Sequence, residues 1–391
     1  MEAETIKQMQ EIFFELYHSE AQGSYFSPGR LNLIGEHIDY NGGFVLPAAI
    51  TLGTIGLIKL RTDTTINCFS ANFKEEGIYS FSLEELEFST KDKWSNYVKG
   101  VVKYLIEAGH QISCGFDLVI YGTIPNGAGL SSSASLELLI GVMLKLEFNL
   151  EIDRLSLVKI GQKVENKFLG LNTGIMDQFV IGFGEENHAL YLDVNTLNYE
   201  LISADFKDYV ILIMNTNKRR ELTESKYNER RSESEEVLTQ LQQSLLIDSL
   251  GELSNDALDQ HFNKINDSTL QKRARHIVRE NNRTKLAKDY LASGQLNEFG
   301  KLMNDSHISL RDDYDVTGIE LDTLVEAAWE QPEVLGARMT GAGMGGCAIA
   351  LVKMDEADQV MEQIEKVYTD KIGFSPSFYL AQIGNGAHKM N

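Results

Sequence analysis

Basic residues are in short supply: 36 Lys and Arg stand against 57 Asp and Glu, a formal net charge of −21 over 391 residues. A duplex-binding surface needs an excess of cations to displace condensed counterions, so this balance argues against nucleic-acid partners. An anionic ligand would need local help from a helix N-terminus, a metal or a few placed basic groups. Cysteine is scarcer still. Cys68, Cys114 and Cys347 lie far apart in apolar, strand-like surroundings without CxxC or Cys/His spacing, which fits buried thiols rather than a disulfide framework or a zinc site. No apolar run reaches membrane-spanning length, and the N-terminal "MEAETIKQMQEIFFELYHSE" lacks the basic flank and apolar run of a signal peptide. The expectation is a cytoplasmic chain with no membrane partner, read here as a monomer.

Linkers and repeats are missing too. With 5 prolines and no Ser-rich stretch, nothing separates the chain into flexibly joined parts. Its length suits two domains, and its 43% hydrophobic content is that of a globular protein. A change of pattern near residue 205 divides it into 1–205 and 206–391. Without a flexible linker the two halves should share an interface, where a site is plausible.

Periodicity supplies the elements. In the first half, residues 24–34 and 44–60 read as strands joined by a hairpin turn at Asn41-Gly42, and "TTINCFSANF" and "GIYSFSLEEL" as further strands of a mixed sheet. "SNYVKGVVKYLIEAG" reads as a helix, "GFDLVIYGTIP" as a strand, "SSASLELLIGVMLKLEF" and "RLSLVKIGQKVENKFLG" as helices, and "HALYLDVNTLNYELIS" as a hairpin. The second half opens with the strand "DYVILIMNTN" and a charged helical run through residue 246. It is mostly helical over 255–330 and ends strand-turn-strand, helix, strand, as in a ferredoxin-like layer.

Two stretches carry more charge or glycine than such elements need. "GRLNLIGEHIDYNGG" places Arg30, Glu36, His37 and Asp39 around a turn between apolar segments. "PNGAGLSSSAS" follows a strand and opens a helix, with Gly127 and Gly129 permitting a tight path and Ser131, Ser132 and Ser133 offering N-capping hydroxyls. A capped helix after a turn explains part of this run, but three consecutive serines exceed one cap. No GxxxxGK[ST] occurs, and the run is not GxGxxG, so it is neither a Walker loop nor a dinucleotide fingerprint.

"PNGAGLSSSAS" resembles the second motif of the GHMP small-molecule kinases, and "TGAGMGGCAIAL" their third. "GRLNLIGEHIDYNGG" is similar to the signature of one branch, the galactokinases. "WSNYVKGV", "TGIMDQF" and "SHISLRDDYDVTGIELDTL" extend the resemblance over most of the chain in the family's order. It implies an α+β, two-domain GHMP kinase fold, with an N-terminal mixed-sheet domain like ribosomal S5 domain 2, a C-terminal ferredoxin-like layer and the active site between them.

The resemblance also implies roles. ATP phosphates would lie against the helix opening at Ser131, with Gly127, Gly129, Ser131, Ser132 and Ser133 around them. Trp94 and Tyr97 would flank adenine, and Ser132 with Glu165 would hold Mg²⁺. Asp177 would sit at the anomeric hydroxyl of galactose beside Arg30. Glu36, His37, Asp39, Gly174 and Tyr227 would contact the rest of the sugar. On residue types alone, a buried Arg–Asp pair without chemistry fits Arg30 and Asp177 equally, and a core histidine fits His37. His388 stands where the pattern has Arg, away from every catalytic role. Two alternatives stay open: a kinase of N-acetylgalactosamine, arabinose or galacturonate, and a non-catalytic sensor of galactose and ATP.

Overall fold

The computed structural model describes residues 2–125, 128–218 and 223–390. Its first half runs α1 (Glu2–Tyr17), β1 (Gly23–Asn32), β2 (Phe44–Val45), β3 (Pro47–Leu60), β4 (Thr65–Ser70), β5 (Tyr79–Ser82), α2 (Ser95–Glu107) and β6 (Phe116–Gly122). Then come α3 (Ser132–Glu147), α4 (Arg154–Lys163), α5 (Met176–Phe183) and the hairpin β7 (His188–Asp193) and β8 (Tyr199–Ser203). The second half runs β9 (Tyr209–Asn215), α6 (Thr223–Leu241), α7 (Asn255–His261), α8 (Ser268–Ala292), α9 (Leu296–Ser309) and α10 (Ile319–Trp329). It closes with β10 (Val334–Thr340), β11 (Cys347–Lys353), α11 (Ala357–Ile372), β12 (Ser377–Ala381) and β13 (His388–Lys389).

The large sheet has the order β13-β1-β3-β6-β4-β5 and is mixed as expected, because β4 and β6 run parallel while the other pairs are antiparallel. Alternation along β3 sorts its two faces. Ile55 and Leu57 meet Met9 and Phe13 of α1, whereas Ile58 joins the core under α2 and α3. Gly56 points toward α3, where a β-carbon would press on Leu139 and Met143. The four-stranded sheet, ordered β10-β11-β9-β12 and wholly antiparallel, has the ferredoxin-like order. β9, inside this sheet, is buried on both faces, which explains its unbroken apolar run. Val210, Leu212 and Met214 share a core with residues of α10 and α11. Ile211 and Ile213 share another with Phe299 of α9, Leu291 of α8, and Leu31 and Leu46 of the first half.

Three expectations need correction. Residues 24–60 do not form a two-residue hairpin at Asn41-Gly42. β1 and β3 do pair, Asn32 opposite Pro47, but residues 33–46 make an excursion in which Phe44 and Val45 leave to pair with β7. Hydrogen bonds from α8 hold it: Glu280 accepts from Gly35 N–H at 3.0 Å, and the Asn281 side-chain oxygen accepts from Phe44 N–H at 2.8 Å. The helix expected to reach Gly170 stops as an α-helix at Lys163 and continues as a π turn, Val164–Phe168. Finally, the chain's end does not stay with the second half. β13 returns to the edge of the large sheet, His388 opposite Phe26.

Cys68 and Cys347 are buried and Cys114 half-buried. Among the described residues no helix is long and apolar enough to cross a membrane.

Candidate active site

Arg30 enters the site through a bulge. The β1–β3 register shifts between Pro28 and Arg30, and Gly29 lies so close to the Leu130 carbonyl that a β-carbon would not fit. Beyond the bulge Arg30 N–H bonds to Leu130 O at 3.1 Å, tying β1 to the Gly-rich loop. The guanidinium then forks onto Asp177, with Nε to Oδ1 and Nη2 to Oδ2 both at 2.8 Å, while Nη1 donates to Gly129 O at 2.9 Å. Such a bidentate pair fixes the plane of the carboxylate. Arg30 is buried and its carboxylate partner is 30% exposed, so the open face of the pair belongs to Asp177. Burial alone would lower the Arg30 pKa, but Asp177, Glu36 and Asp39 outweigh it and raise it.

Ser131 does not cap α3. It stands at the N-cap position in the left-handed region, φ 62°, and its hydroxyl donates to Asp177 Oδ2 instead. Ser133 is also diverted, donating to Glu165 Oε1 at 2.7 Å. The first N–H groups of α3 are therefore not capped by these serine hydroxyls, which suits an anion better than a capped end would.

Arg30 and Asp177 line one wall of a cleft of about 330 Å³, together with Glu36, His37, Asp39, Gly174 and Tyr227. Every residue expected around the sugar thus faces a single cavity, at the small end of ligand pockets. Asn172, Thr173, Asn228, Gly341 and Ala342 are among the other residues that line it. Gly174 is required by its neighbour: a β-carbon there would occupy the place of the Asp39 carboxylate. Burial raises the Glu36 pKa, opposed by Arg338 and then Arg30. Burial, with the Asp177 and Glu36 carboxylates adding, pushes Asp39 up to about 7. His37 is held neutral, its pKa lowered to about 3 by burial first and His276 second. Its Nδ1 lies 2.9 Å from the Tyr40 hydroxyl, which meets the Tyr314 hydroxyl at 2.9 Å, while Nε2 is buried without a protein partner.

A second cleft, about 160 Å³, is lined by Trp94, Tyr97, Asn72, Phe73, Ser132 and Ser133 among others. Trp94 precedes α2 and Tyr97 lies in its first turn, and the Trp94 indole N–H is buried without a partner. The serine run joins the two clefts, since Ser131 bonds to Asp177 in one and Ser132 and Ser133 line the other. Gly127 lies outside the described residues; Gly129, φ 76°, supplies the positive-φ turn.

Glu165, buried in the π turn, accepts from Ser133, from Thr173 Oγ1 at 2.6 Å and from Gln178 Nε2 at 3.0 Å. The hydroxyl on it is that of Ser133, with Ser132 beside it on the cleft wall. Among the described residues no cluster of three or more His, Cys, Asp or Glu could form a protein cage for a metal. One carboxylate and serine hydroxyls fit Mg²⁺, a hard cation that takes its other ligands from phosphates and water.

Arg338, Gln178 and Glu137 are not among the residues expected at the site. Arg338 is fully buried and holds Glu36, and Gln178 bridges Glu165 to Glu137, at 3.0 Å each. Two of the three carried a signal: Arg338 in the apolar strand "VLGARMT" and Glu137 in the apolar helix "SASLELLIGV" are isolated charges in buried elements.

Comparison with known proteins gives three matches to family descriptions. The GHMP kinases N terminal domain matches residues 96–185, the Galactokinase galactose-binding signature 11–60 and the GHMP kinases C terminal 287–370. A galactokinase from Streptococcus mutans is 55% identical over 385 residues, 98% of this chain and 99% of that one. One from Enterococcus faecalis is 57% identical over 378 residues, 97% of this chain and 98% of that one. The crystal structure of Lactococcus lactis galactokinase complexed with galactose superposes with a TM-score of 0.95 at 54% identity, covering 99% and 100% of the two chains. Methanococcus jannaschii mevalonate kinase, at 21% identity and a TM-score of 0.67 over 93% of this chain and 98% of its own, shares the fold.

Proposed function

Because the chain belongs to the galactokinase family of GHMP kinases, we propose that its two clefts carry the parts of one reaction. It is an ATP-dependent sugar 1-kinase, moving the γ-phosphoryl group of ATP to the anomeric hydroxyl of α-D-galactose to give galactose 1-phosphate and ADP. The observation that carries the assignment of parts is the Arg30–Asp177 fork, on the sugar-cleft wall and bonded through Ser131 to the start of α3.

Phosphoryl transfer is mostly positioning and charge stabilisation. Asp177 takes two hydrogen bonds from Arg30 and one from Ser131, which leaves acceptor capacity toward the cleft for the anomeric hydroxyl and its proton. Arg30, fixed by three contacts, sets that geometry and places positive charge beside the transferring group. Glu36, Asp39 and His37 hold hydroxyls remote from the reacting carbon: the carboxylates accept, and neutral His37 lines the cleft beside them. Tyr227 lines the cleft with its ring against His37 and Tyr40, and Gly174 makes room for Asp39.

The phosphates lie against the N-terminus of α3, and Trp94 and Tyr97 flank the base. Ser132 and Glu165 would hold Mg²⁺, which when bound neutralises phosphate charge. A reaction that consumes ATP suits a cytoplasmic protein.

A coupled ADP-release assay over hexoses and pentoses tests the substrate. Galactose should give the highest kcat/KM; a higher value for N-acetylgalactosamine, arabinose or galacturonate overturns that assignment. Asp177→Asn should lower turnover by roughly 10²–10⁴-fold with ATP binding little changed. Turnover near wild type would remove Asp177 from the reaction.

A further inference from the structure

We propose that Arg338, on the second sheet and out of contact with the cleft, is a positioning residue for the sugar: it aims the Glu36 carboxylate. The proposal rests on reading the first cleft as the sugar site.

Arg338 lies in β10 with 0% exposure, between Ala337 and Met339, where no water can compensate its charge. Its nearest anion is Glu36, 302 positions away in sequence, at 3.0 Å from Nη2 to Oε2. Nη1 donates to Asn32 O at 2.8 Å, and Nε has no partner. Glu36 is 3% exposed; its other carboxylate oxygen receives a long bond, 3.4 Å, from the Asn32 side chain, and the Gly341 N–H also faces the carboxylate. Among these neighbours Arg338 is the charged donor in direct contact, ahead of Arg30 in its pull on the carboxylate and backed by the neutral Asn32 and Gly341 groups.

The backbone of Glu36 is held by other groups. Glu280 accepts from Gly35 N–H and Glu36 N–H at 3.0 and 3.4 Å, and His276 Nε2 lies 3.2 Å from Glu36 O. Removing the Arg338 cation should leave this anchorage of Gly35 and Glu36 in place and release the Glu36 side chain, with Asn32 O keeping its bond from Thr340 after losing the one from Arg338. Two residues on, Thr340 bonds to both N–H and O of Asn32, so the same strand fixes the end of β1 from which the excursion starts. Glu36 lines the cleft and Arg338 does not, so Arg338 reaches the sugar only through Glu36.

The test is galactose binding without nucleotide, measured calorimetrically, alongside steady-state kinetics. Arg338→Met should weaken galactose Kd and KM roughly tenfold or more, with ATP KM within about twofold and kcat changed less than KM. Arg338→Lys, which keeps a cation, should recover part of the loss. Glu36→Gln should weaken galactose similarly, and adding Arg338→Met to it should cost nothing further, because the two residues act as one unit. That double variant also serves if Arg338→Met alone fails to fold, since it leaves no buried carboxylate unpaired. Arg338→Met with unchanged galactose Kd, or a further loss beyond about threefold in the double variant over Glu36→Gln, overturns the proposal. If Glu36→Gln itself leaves galactose Kd unchanged, the placement of Glu36 at the sugar fails first, and the proposal with it.

Discussion

Asp39 brings cost and use together at one residue. Burial, helped by the Asp177 and Glu36 carboxylates and opposed by Arg30, pushes its pKa up to about 7, whereas in an unfolded chain it titrates at about 3.9. Between those values the folded protein binds a proton that the unfolded chain does not, so stability falls as pH rises through this window. Asp39→Asn removes that slope. The variant should melt higher than wild type at pH 8, with the difference shrinking toward pH 4. Galactose binding should change oppositely: the ionised carboxylate is the better acceptor of hydroxyls, so wild-type affinity should fall as pH drops below about 7, and the variant should bind weakly throughout. A melting difference that does not vary with pH would show that Asp39 titrates normally. Arg30, Glu36, His37 and Asp39 stood out as four ionisable residues in one short apolar stretch, but the sugar roles proposed for them, and for Gly174 and Tyr227, came from the family resemblance. Arg338 was not assigned, because its partner is 302 positions away and only the fold joins them.

Among the elements, the third Gly-rich motif separates two uses of glycine. Gly343 has φ 79°, and a β-carbon there would overlap the Val316 carbonyl oxygen, the group that accepts from Met344 N–H at 2.7 Å. Gly345 has φ 107°, yet its β-carbon would meet only the flexible Lys218 side chain, at 3.4 Å. Gly343→Ala combines backbone strain with a clash against backbone and should cost about 3 kcal/mol or more, while Gly345→Ala carries strain alone, about 1–2 kcal/mol. Denaturant unfolding of both variants checks this; equal losses would mean that the turn relaxes freely. Alternation and 3.6-residue spacing made most strands and helices legible. The false hairpin at Asn41-Gly42 shows the limit: a good turn dipeptide lost to hydrogen bonds from Glu280 and Asn281, which no local pattern encodes. The serine run misled in the same way, because Asp177 and Glu165 draw hydroxyls that would otherwise cap α3.

At the scale of the molecule, the boundary near residue 205 falls between β8 and β9, where the chain passes from one sheet to another. We propose that it divides topology and not folding. Leu31, Leu33, Leu46 and Ile50 are buried in one cluster with Ile211, Ile213, Leu291, Phe299 and Ile349 from beyond the boundary. Losing a fully buried Leu or Phe typically costs about 2–5 kcal/mol, and a fragment ending at 205 exposes many at once. It also loses β13 from the edge of β1, and the α8 side chains that shape the excursion carrying Glu36 and Asp39. Expressed alone, 1–205 should aggregate or unfold without a cooperative transition, and should not bind galactose. Co-expressed with 206–391 it should recover a soluble complex and some activity, since the shared core can form between two chains. A monomeric 1–205 fragment with a sharp melting transition would make the halves separate folding units, and the Arg338–Glu36 pair a contact between finished domains.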